Sequence, residues 1–414
     1  MSGSTGEARG LGFAEALQCV LRHAAEVRAP GLERVALLDS PGRVLAEEVK
    51  ADRDQPPFDR ATRDGFAVRA AEWTAGRRLR VMGQVRAGDT WAGGPILAET
   101  AVEIMTGAPV PGGADAVAMV EHAEADEGVV WAAAGQSLAA GENIVRSGSE
   151  ALQGDVLLPV GTAMGAAEIA LAASCGCAEI AVRARPTVAI VATGDELVEV
   201  EETPGAQQIR NSNGAALAAL VETAGGRARC LAIARDTRES LREKIAEGRE
   251  SDLLLLSGGV SVGKYDLVEE VLAEFGAEFF FTGVRMQPGR PVVFGRLPKS
   301  ERRWKYFFGL PGNPVSTLVT FQCFVEPMLR AICGEGVVGP RFVQATLAGD
   351  VEGKAGLTRI LPAILRHDLE RPEVRIVGSQ GSGDLAANAR ANCYAVLEDG
   401  RSYDSGDVIS VLLR

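Results

Sequence analysis

The sequence predicts a multidomain α/β-plus-β protein organised around a doubly wound, mostly parallel sheet. Three observations carry this. From Thr187 to Leu329, uncharged apolar runs alternate with helical stretches and end in loops bearing Gly, Ser, Asp or Asn, the pattern of βαβ units. From Leu79 to Val145, short apolar runs are punctuated by Gly and Pro, as in a β-rich module. The last segment carries period-2 runs at Cys393–Leu397 and Val408–Leu413, the alternation of strands in a small β domain. A chain of 414 residues has room for about three domains with cores of their own.

Taken in order, Phe13, Leu17, Val20 and Leu21 fall at helical spacing, so an amphipathic helix opens the chain. Mixed structure follows from Val35 to Val49, with a turn at Ser40-Pro41-Gly42. The prolines of Gln55-Pro56-Pro57-Phe58-Asp59 favour an extended connector and mark a boundary. Arg63-Asp64-Gly65-Phe66-Ala67-Val68 reads as a turn into a strand. Met105-Thr106-Gly107-Ala108-Pro109-Val110-Pro111 is too Pro-rich to be regular, and read locally Thr106 is a turn hydroxyl. The strand Thr187–Val191 ends in Thr193-Gly194-Asp195-Glu196, and Ala215–Val221 is helical. The strand Ala228–Ile233 ends at Arg235-Asp236, and a charged helix covers 238–248. The run Leu253–Leu256 breaks into Ser257-Gly258-Gly259. Short strands near Glu278–Phe281, Pro291–Phe294 and Tyr306–Leu310 lead through Pro311-Gly312-Asn313-Pro314-Val315-Ser316 to a helix over Thr317–Leu329. Gly334–Pro340 reads as a linker. The expected organisation is a connector domain (1–52 and 146–184) interrupted by a β-rich insert (53–145). An α/β domain (185–335) and a C-terminal, barrel-like β domain (336–414) follow.

Composition narrows the function. The net charge of −12 argues against nucleic acid and anionic membranes, which need basic footprints. Seven cysteines without a C-x-x-C or Cys/His cluster read as free thiols in a reducing cytoplasm. His23, His122 and His367 lie in unrelated contexts and support no His-based triad. Residues 1–10 hold no apolar leader segment, which points to a cytoplasmic protein. Glu168 and Glu179 interrupt the apolar stretch Met164–Val182, making it a packed helix and strand rather than a membrane span.

Ligands of open α/β sheets sit beyond the C-terminal strand ends. The loops there offer two kinds of group. The glycines with Ser257, Ser261, Asn313 and Ser316 supply donors for an oxyanion, and a Gly-rich turn leading into a helix suits phosphate. Gly258 and Gly263-Lys264 have P-loop spacing, but Tyr265 stands where a P-loop needs its Mg2+-binding Ser or Thr. Glu196, Asp236 and Asp266 supply carboxylates on three loops. Singly, each acid reads equally well as a metal ligand or as a bland helix cap or solvated loop charge. Gathered at one site they repel unless a cation lies among them, and an oxygen-rich site beside phosphate suits Mg2+. The combination points to metal-assisted chemistry at a phosphate ester or anhydride.

Further motifs are Asp64-Gly65-Phe66-Ala67-Val68, Asn211-Ser212-Asn213, Pro288-Gly289-Arg290-Pro291 and Gln380-Gly381-Ser382. With the loops above, from about Phe13 to the C-terminus, this ordered set resembles the molybdopterin molybdenumtransferase family, which includes bacterial MoeA and the plant and gephyrin E-domains. The resemblance implies four domains and an elongated homodimer. It places the site between the α/β domain of one subunit, itself MogA-like, and the β-rich domain of the other. The implied reaction takes adenylylated molybdopterin and molybdate, cleaves the phosphoanhydride with Mg2+, releases AMP and leaves molybdenum on the dithiolene. By motif position, Asp236 and Asp266 correspond to metal carboxylates, with Glu196 close to metal and pterin phosphate. Ser261, Arg290, Ser316 and Ser382 correspond to the molybdate and phosphate pocket. Ser257, Gly258, Gly259, Gly263, Pro291, Pro311, Gly312, Asn313 and Pro314 complete the cofactor-binding surface. Asp64 and Thr106 match positions important for activity, reaching in from the partner subunit, which overrides the local reading of Thr106. Molybdopterin adenylyltransferase and molybdoenzymes are the implied partners.

The chain departs from the family pattern in three places. Gln287 stands where many members have Lys, Pro362 where a family arginine aligns, and Glu150 where Asp is common. They put the anion pocket's affinity and its choice of oxyanion at issue, Glu150 least, with Arg359 and Arg366 as candidate substitutes for the arginine. A non-catalytic, gephyrin-like scaffold is the rival from another class, but it has no need of clustered acids. A molybdopterin adenylyltransferase is the other, but it does not account for the β-rich domain with Asp64 and Thr106.

Overall fold

The computed structural model describes residues 10–259, 267–298, 304–336, 338–367 and 371–414. Helix α1 (Phe13–Ala24) opens the chain, with Glu15 accepting the Gly12 N–H at 2.7 Å. Its buried face, Ala16, Val20 and Ala24, enters the core of the α/β domain. The connector joins distant segments. Strand Leu32–Ala36 pairs antiparallel with Glu179–Arg183, and α2 (Ala166–Ser174) packs over a core that includes Leu45, Met164 and Val182. The chain leaves and re-enters the connector side by side. Gln55 bridges Ala151, and Asp59 accepts from the Ser147 N–H (2.8 Å) and pairs with Arg146.

The insert is one six-stranded sheet. It comprises β1 (Gly65–Val68), β2 (Leu79–Val85), β3 (Thr100–Ile104), β4 (Ala116–Met119), β5 (Ala123–Asp126) and β6 (Val129–Ala132). The spatial order is β4-β1-β3-β2-β6-β5. Successive residues bury on opposite faces, Ala67, Val102 and Val117 on one and Phe66, Ala101 and Ala118 on the other. Both faces are covered at β1 and β4, which is why those two strands read as unbroken apolar runs.

The α/β domain begins with β7 (Thr187–Ala192), α3 (Ser212–Thr223), β8 (Arg227–Cys230), α4 (Arg238–Gly248), β9 (Leu253–Ser257) and α5 (Leu267–Glu274). It continues with β10 (Glu278–Thr282), β11 (Val284–Gln287), β12 (Val293–Pro298), β13 (Trp304–Leu310), α6 (Pro314–Thr320) and α7 (Glu326–Cys333). The sheet order is β8-β7-β9-β13-β12-β10, parallel across its first four strands and antiparallel at β12 and β10. Val188, Ile190, Leu253 and Leu255 face a core shared with α1, α3, α6 and α7. Ala189, Val191, Leu254 and Leu256 face the other, under α4 and α5. The predicted helix over 317–329 is longer at both ends: Pro314 at its first turn starts it, and Gly334 at φ +96° stops it. A π turn, Phe321–Val325, separates α6 from α7.

Phe294 is fully buried and stacks on Phe308 (centroids 4.6 Å apart) and Tyr306 (5.8 Å). Phe294→Ala is expected to lower stability by roughly 3–5 kcal/mol, because the cavity cannot close among rigid rings; urea unfolding followed by near-UV CD measures this.

The C-terminal strands are β14 (Phe342–Leu347), β15 (Thr358–Arg366), β16 (Glu373–Ile376), β17 (Cys393–Leu397) and β18 (Val408–Leu413), with helix α8 (Leu385–Arg390) before β17. They run β15-β16-β14-β18-β17, and β17 pairs back onto β15 to close a five-stranded barrel. Strand β11 joins this barrel in parallel, Met286 against Thr358 and Gln287 against Arg359. The barrel in turn lends Ile360, Tyr394 and Leu412 to the α/β core. All seven cysteines are free. Among the described residues no helix is long and apolar enough to cross a membrane.

Candidate active site

Register gathers the loops. Strand β9 pairs with β7 and β13 so that Ala192, Ser257 and Leu310 lie side by side at their C-terminal ends. A parallel bridge from Thr193 to Ala234 draws in the Arg235-Asp236 loop. All four loops therefore leave the sheet at one edge, where they wall a cavity of about 650 Å³.

The phosphate-suited side is built from backbone and amide groups. Asn211 caps α3 by accepting the Gly214 N–H (2.8 Å). That places Asn213 in the first turn, where its Nδ2 donates to Ser257 Oγ (3.0 Å) and to the Gly312 carbonyl (2.8 Å). One side chain thus ties the loop after β9 to the loop after β13. Gly258, at φ +93°, runs so close to Thr193 that a Cβ would lie 2.4 Å from the Thr193 carbonyl oxygen. Only glycine fits there, and it leaves bare backbone toward the cavity. Thr193 Oγ1 is buried with no hydrogen-bond partner among the described residues, an unspent donor in the wall. Arg210 adds a cation, its Nε fixed by the Val200 (2.9 Å) and Glu202 (3.1 Å) carbonyls.

Glu196 and Asp236 line the same cavity. The Asp236 N–H donates to Asp195 Oδ1 (3.3 Å), and Arg235 Nη1 donates to the Asp195 carbonyl (3.2 Å). Desolvation against the wall, then the Asp195 and Glu196 charges, push the Asp236 carboxyl above its ordinary range. Among the described residues no three His, Cys, Asp or Glu side chains form a cluster able to hold a metal. Asp266, the third predicted carboxylate, lies outside the described residues, as do Ser261 and Gly263.

A second cavity of about 370 Å³ lies where β11 meets the barrel. Its wall includes Gln287, Arg290, Lys354, Ser316 and Ser382, and among the described residues no carboxylate lines it. Asp384 caps α8 and holds the Gln380 N–H (3.1 Å), setting the turn that presents Ser382. Ser382 Oγ accepts from Asn313 Nδ2 (2.9 Å), and its carbonyl accepts the Val315 N–H (3.0 Å). The two cavities share Pro291, Asn313 and Ser316.

The structure therefore places Glu196, Asp236, Ser257, Gly258, Gly259, Pro311, Gly312 and Pro314 on the first cavity, and Arg290 and Ser382 on the second. Asp64 and Thr106 line neither. They stand exposed on the insert, where the Thr106 N–H (2.6 Å) and hydroxyl (2.7 Å) both donate to Asp64 Oδ1. Those two bonds hold the Asp64 carboxyl below its ordinary range. Gly65 sets the carboxylate beside β4, so close that a Cβ would meet the Ala118 carbonyl at 1.8 Å. Sequence reasoning quoted Thr193 and Asn213 within motifs but gave neither a role, and it passed over Arg210 and Lys354. The Asn211-Ser212-Asn213 motif was the signal for Asn213 and, one residue upstream, for Arg210.

Three family profiles match in order. They are the MoeA N-terminal region (domain I and II) at residues 11–176, a probable molybdopterin binding domain at 189–331, and the MoeA C-terminal region (domain IV) at 344–413. Molybdopterin molybdenumtransferase of Staphylococcus aureus (strain MSSA476) is 34% identical over 389 residues, covering 92% of this chain and 90% of that one. The enzyme of the same name from Bacillus subtilis (strain 168) is 34% identical over 392 residues, covering 92% and 89%. The molybdopterin biosynthesis MoeA protein of Pyrococcus horikoshii OT3 superposes with a TM-score of 0.78 at 26% identity, covering 98% of this chain and 100% of that one. Another structure of a molybdopterin biosynthesis MoeA protein, from Pyrococcus horikosii, gives 0.71 at 30% identity, covering 96% of this chain and 98% of that one. Matched from the first helix to the last strand, the chain belongs to the molybdopterin molybdenumtransferase (MoeA) family, enzymes of molybdenum cofactor biosynthesis.

Proposed function

We propose that this chain inserts molybdenum from molybdate into adenylylated molybdopterin in a Mg2+-dependent reaction that releases AMP. The observation carrying this reading is that carboxylates line only one of two adjoining cavities among the described residues. Glu196 and Asp236, with backbone donors and the cation Arg210, line the larger, and Arg290, Lys354 and hydroxyls line the smaller. A phosphoanhydride substrate suits the first and a tetrahedral oxyanion the second. The bare backbone at Gly258, with Ser257 and Arg210, holds the phosphates, and Arg290, Ser316 and Ser382 orient the oxyanion beside them.

The donor set fits Mg2+: hard carboxylate oxygens from Glu196 and Asp236 beside a phosphate site, with Asp266 as the third by motif position. When bound there, the ion neutralises the charge that develops as the anhydride breaks. The Asp236 backbone is held through its own N–H, which sets where the side chain leaves the loop.

The preformed, exposed Asp64–Thr106 pair lines neither of the two cavities described above, which supports a homodimer in which it completes the partner's site. Mixing Asp64→Ala with Asp236→Ala protein and letting subunits exchange is then expected to restore about a quarter of wild-type activity, from heterodimers with one intact site. An inactive mixture that does contain heterodimers would count against sharing. We place the reaction in the cytoplasm, between the adenylyltransferase that supplies the substrate and the molybdoenzymes that take the product.

AMP release from adenylylated molybdopterin and Mg2+, with and without molybdate, tests the activity. Molybdate-dependent release is expected. Substrate binding without release under molybdate or tungstate would favour a scaffold, and adenylylation of free molybdopterin by ATP would favour the adenylyltransferase.

A further inference from the structure

We infer that Lys354 is the second cation of the smaller cavity and, with Arg290, determines how tightly that cavity holds a tetrahedral oxyanion. The inference rests on the assignment of that cavity to the oxyanion. Lys354 lies on the loop between β14 and β15, and this loop is braced on all sides. The Gly353 N–H donates to Ser402 Oγ (2.9 Å), and the Gly356 N–H donates to Asp399 Oδ1 (2.5 Å). The Lys354 carbonyl accepts the Gly400 N–H (3.1 Å), and the Glu352 carbonyl accepts from Arg359 Nη1 (2.8 Å). These bonds hold the backbone from which the exposed Lys354 side chain projects.

Its Nζ donates to Gln287 Oε1 at 3.1 Å, at the mouth of the cavity. Gln287 is fixed in turn as the last residue of β11, in register with Arg359 of the barrel. The acceptor is a neutral amide, which uses one of the three ammonium protons and leaves two for a ligand. Among the described residues neither Lys354 nor Arg290 has a carboxylate partner, and none lines the cavity. Two uncompensated cations thus face one small space beside Ser316 and Ser382, in a protein of net charge −12. A dianion that accepts from both satisfies them. Gln287 acts as a holder: it aims the ammonium without neutralising it.

Equilibrium binding of molybdate to the full-length protein, at fixed ionic strength, tests this. Lys354→Ala is expected to weaken binding about tenfold, the worth of one charge-assisted hydrogen bond, with thermal unfolding unchanged. Lys354→Arg is expected to keep most of the affinity. Adding Gln287→Lys to Lys354→Ala is expected to restore it, because an ammonium then returns to the same mouth from the other side. Gln287→Glu is expected to weaken binding while leaving Lys354 in place, by pairing with it. If wild-type protein binds molybdate, Arg290→Ala loses it and Lys354→Ala does not, the role of Lys354 is overturned and the cavity assignment stands. If wild-type protein binds no molybdate, the cavity assignment itself fails.

Discussion

Asp236→Ala is expected to cut molybdate-dependent AMP release by about a thousandfold or more, the scale seen when an electrostatic partner of the reacting phosphate is removed. Asp236→Asn is the sharper variant, because it keeps the shape and loses only the charge. Neither should unfold the protein. The side chain is exposed, and its removal relieves repulsion from Asp195 and Glu196. An unchanged melting temperature with lost turnover would locate the defect in chemistry. Asp266→Ala is expected to behave in the same way, with AMP release lost and the dimer intact. Turnover within tenfold of wild type in Asp236→Asn would remove Asp236 from the site.

Gly258→Ala is expected to damage fold and site together. The residue sits at φ +93°, which costs a residue with a Cβ about 1–2 kcal/mol. The new methyl would also press on a backbone oxygen of β7's outgoing loop, 2.4 Å away, which cannot swing aside as a side chain can. The total is roughly 3 kcal/mol, with substrate binding weakened about a hundredfold or more because the displaced loop carries the Ser257–Asn213 bond. Urea unfolding and substrate titration read the two effects separately. Gly312→Ala is the control: its Cβ would meet the Gly258 Cα at an ordinary 3.6 Å, so stability should hold.

Strand ends were the most legible part of the sequence. The run Leu253–Leu256 is buried on both faces of the sheet, and an apolar run cut off by Ser-Gly-Gly has few other readings. The barrel strands Cys393–Leu397 and Val408–Leu413 kept their predicted bounds: Cys393, Ala395, Ile409 and Val411 pack inside the barrel, while Tyr394 and Leu412 are buried against the α/β core. What stayed hidden depends on pairing between distant segments. The amphipathic face of α1 announces that it is buried but not against which domain. Nothing local in Val284–Gln287 says that it will join a strand seventy residues away, and without that junction the second cavity has no floor. Lys354, in a loop bounded by glycines, reads from sequence as a solvated charge. Pro362 pairs with Tyr394 inside the barrel wall, while a cation reaches the cavity from the loop before β15 instead. Thr106 looked like a turn hydroxyl. It is one, and it is also the anchor of Asp64.

Four domains in sequence need not mean four units in thermodynamics. Ile360, Tyr394 and Leu412 belong to the barrel by chain position and to the α/β domain by burial. Cutting the chain in the stretch 334–340 would strip those side chains from the core they complete and leave an apolar wound on each fragment. The barrel and the α/β domain are therefore expected to melt as one cooperative body, and ligand captured across their seam to stabilise both at once.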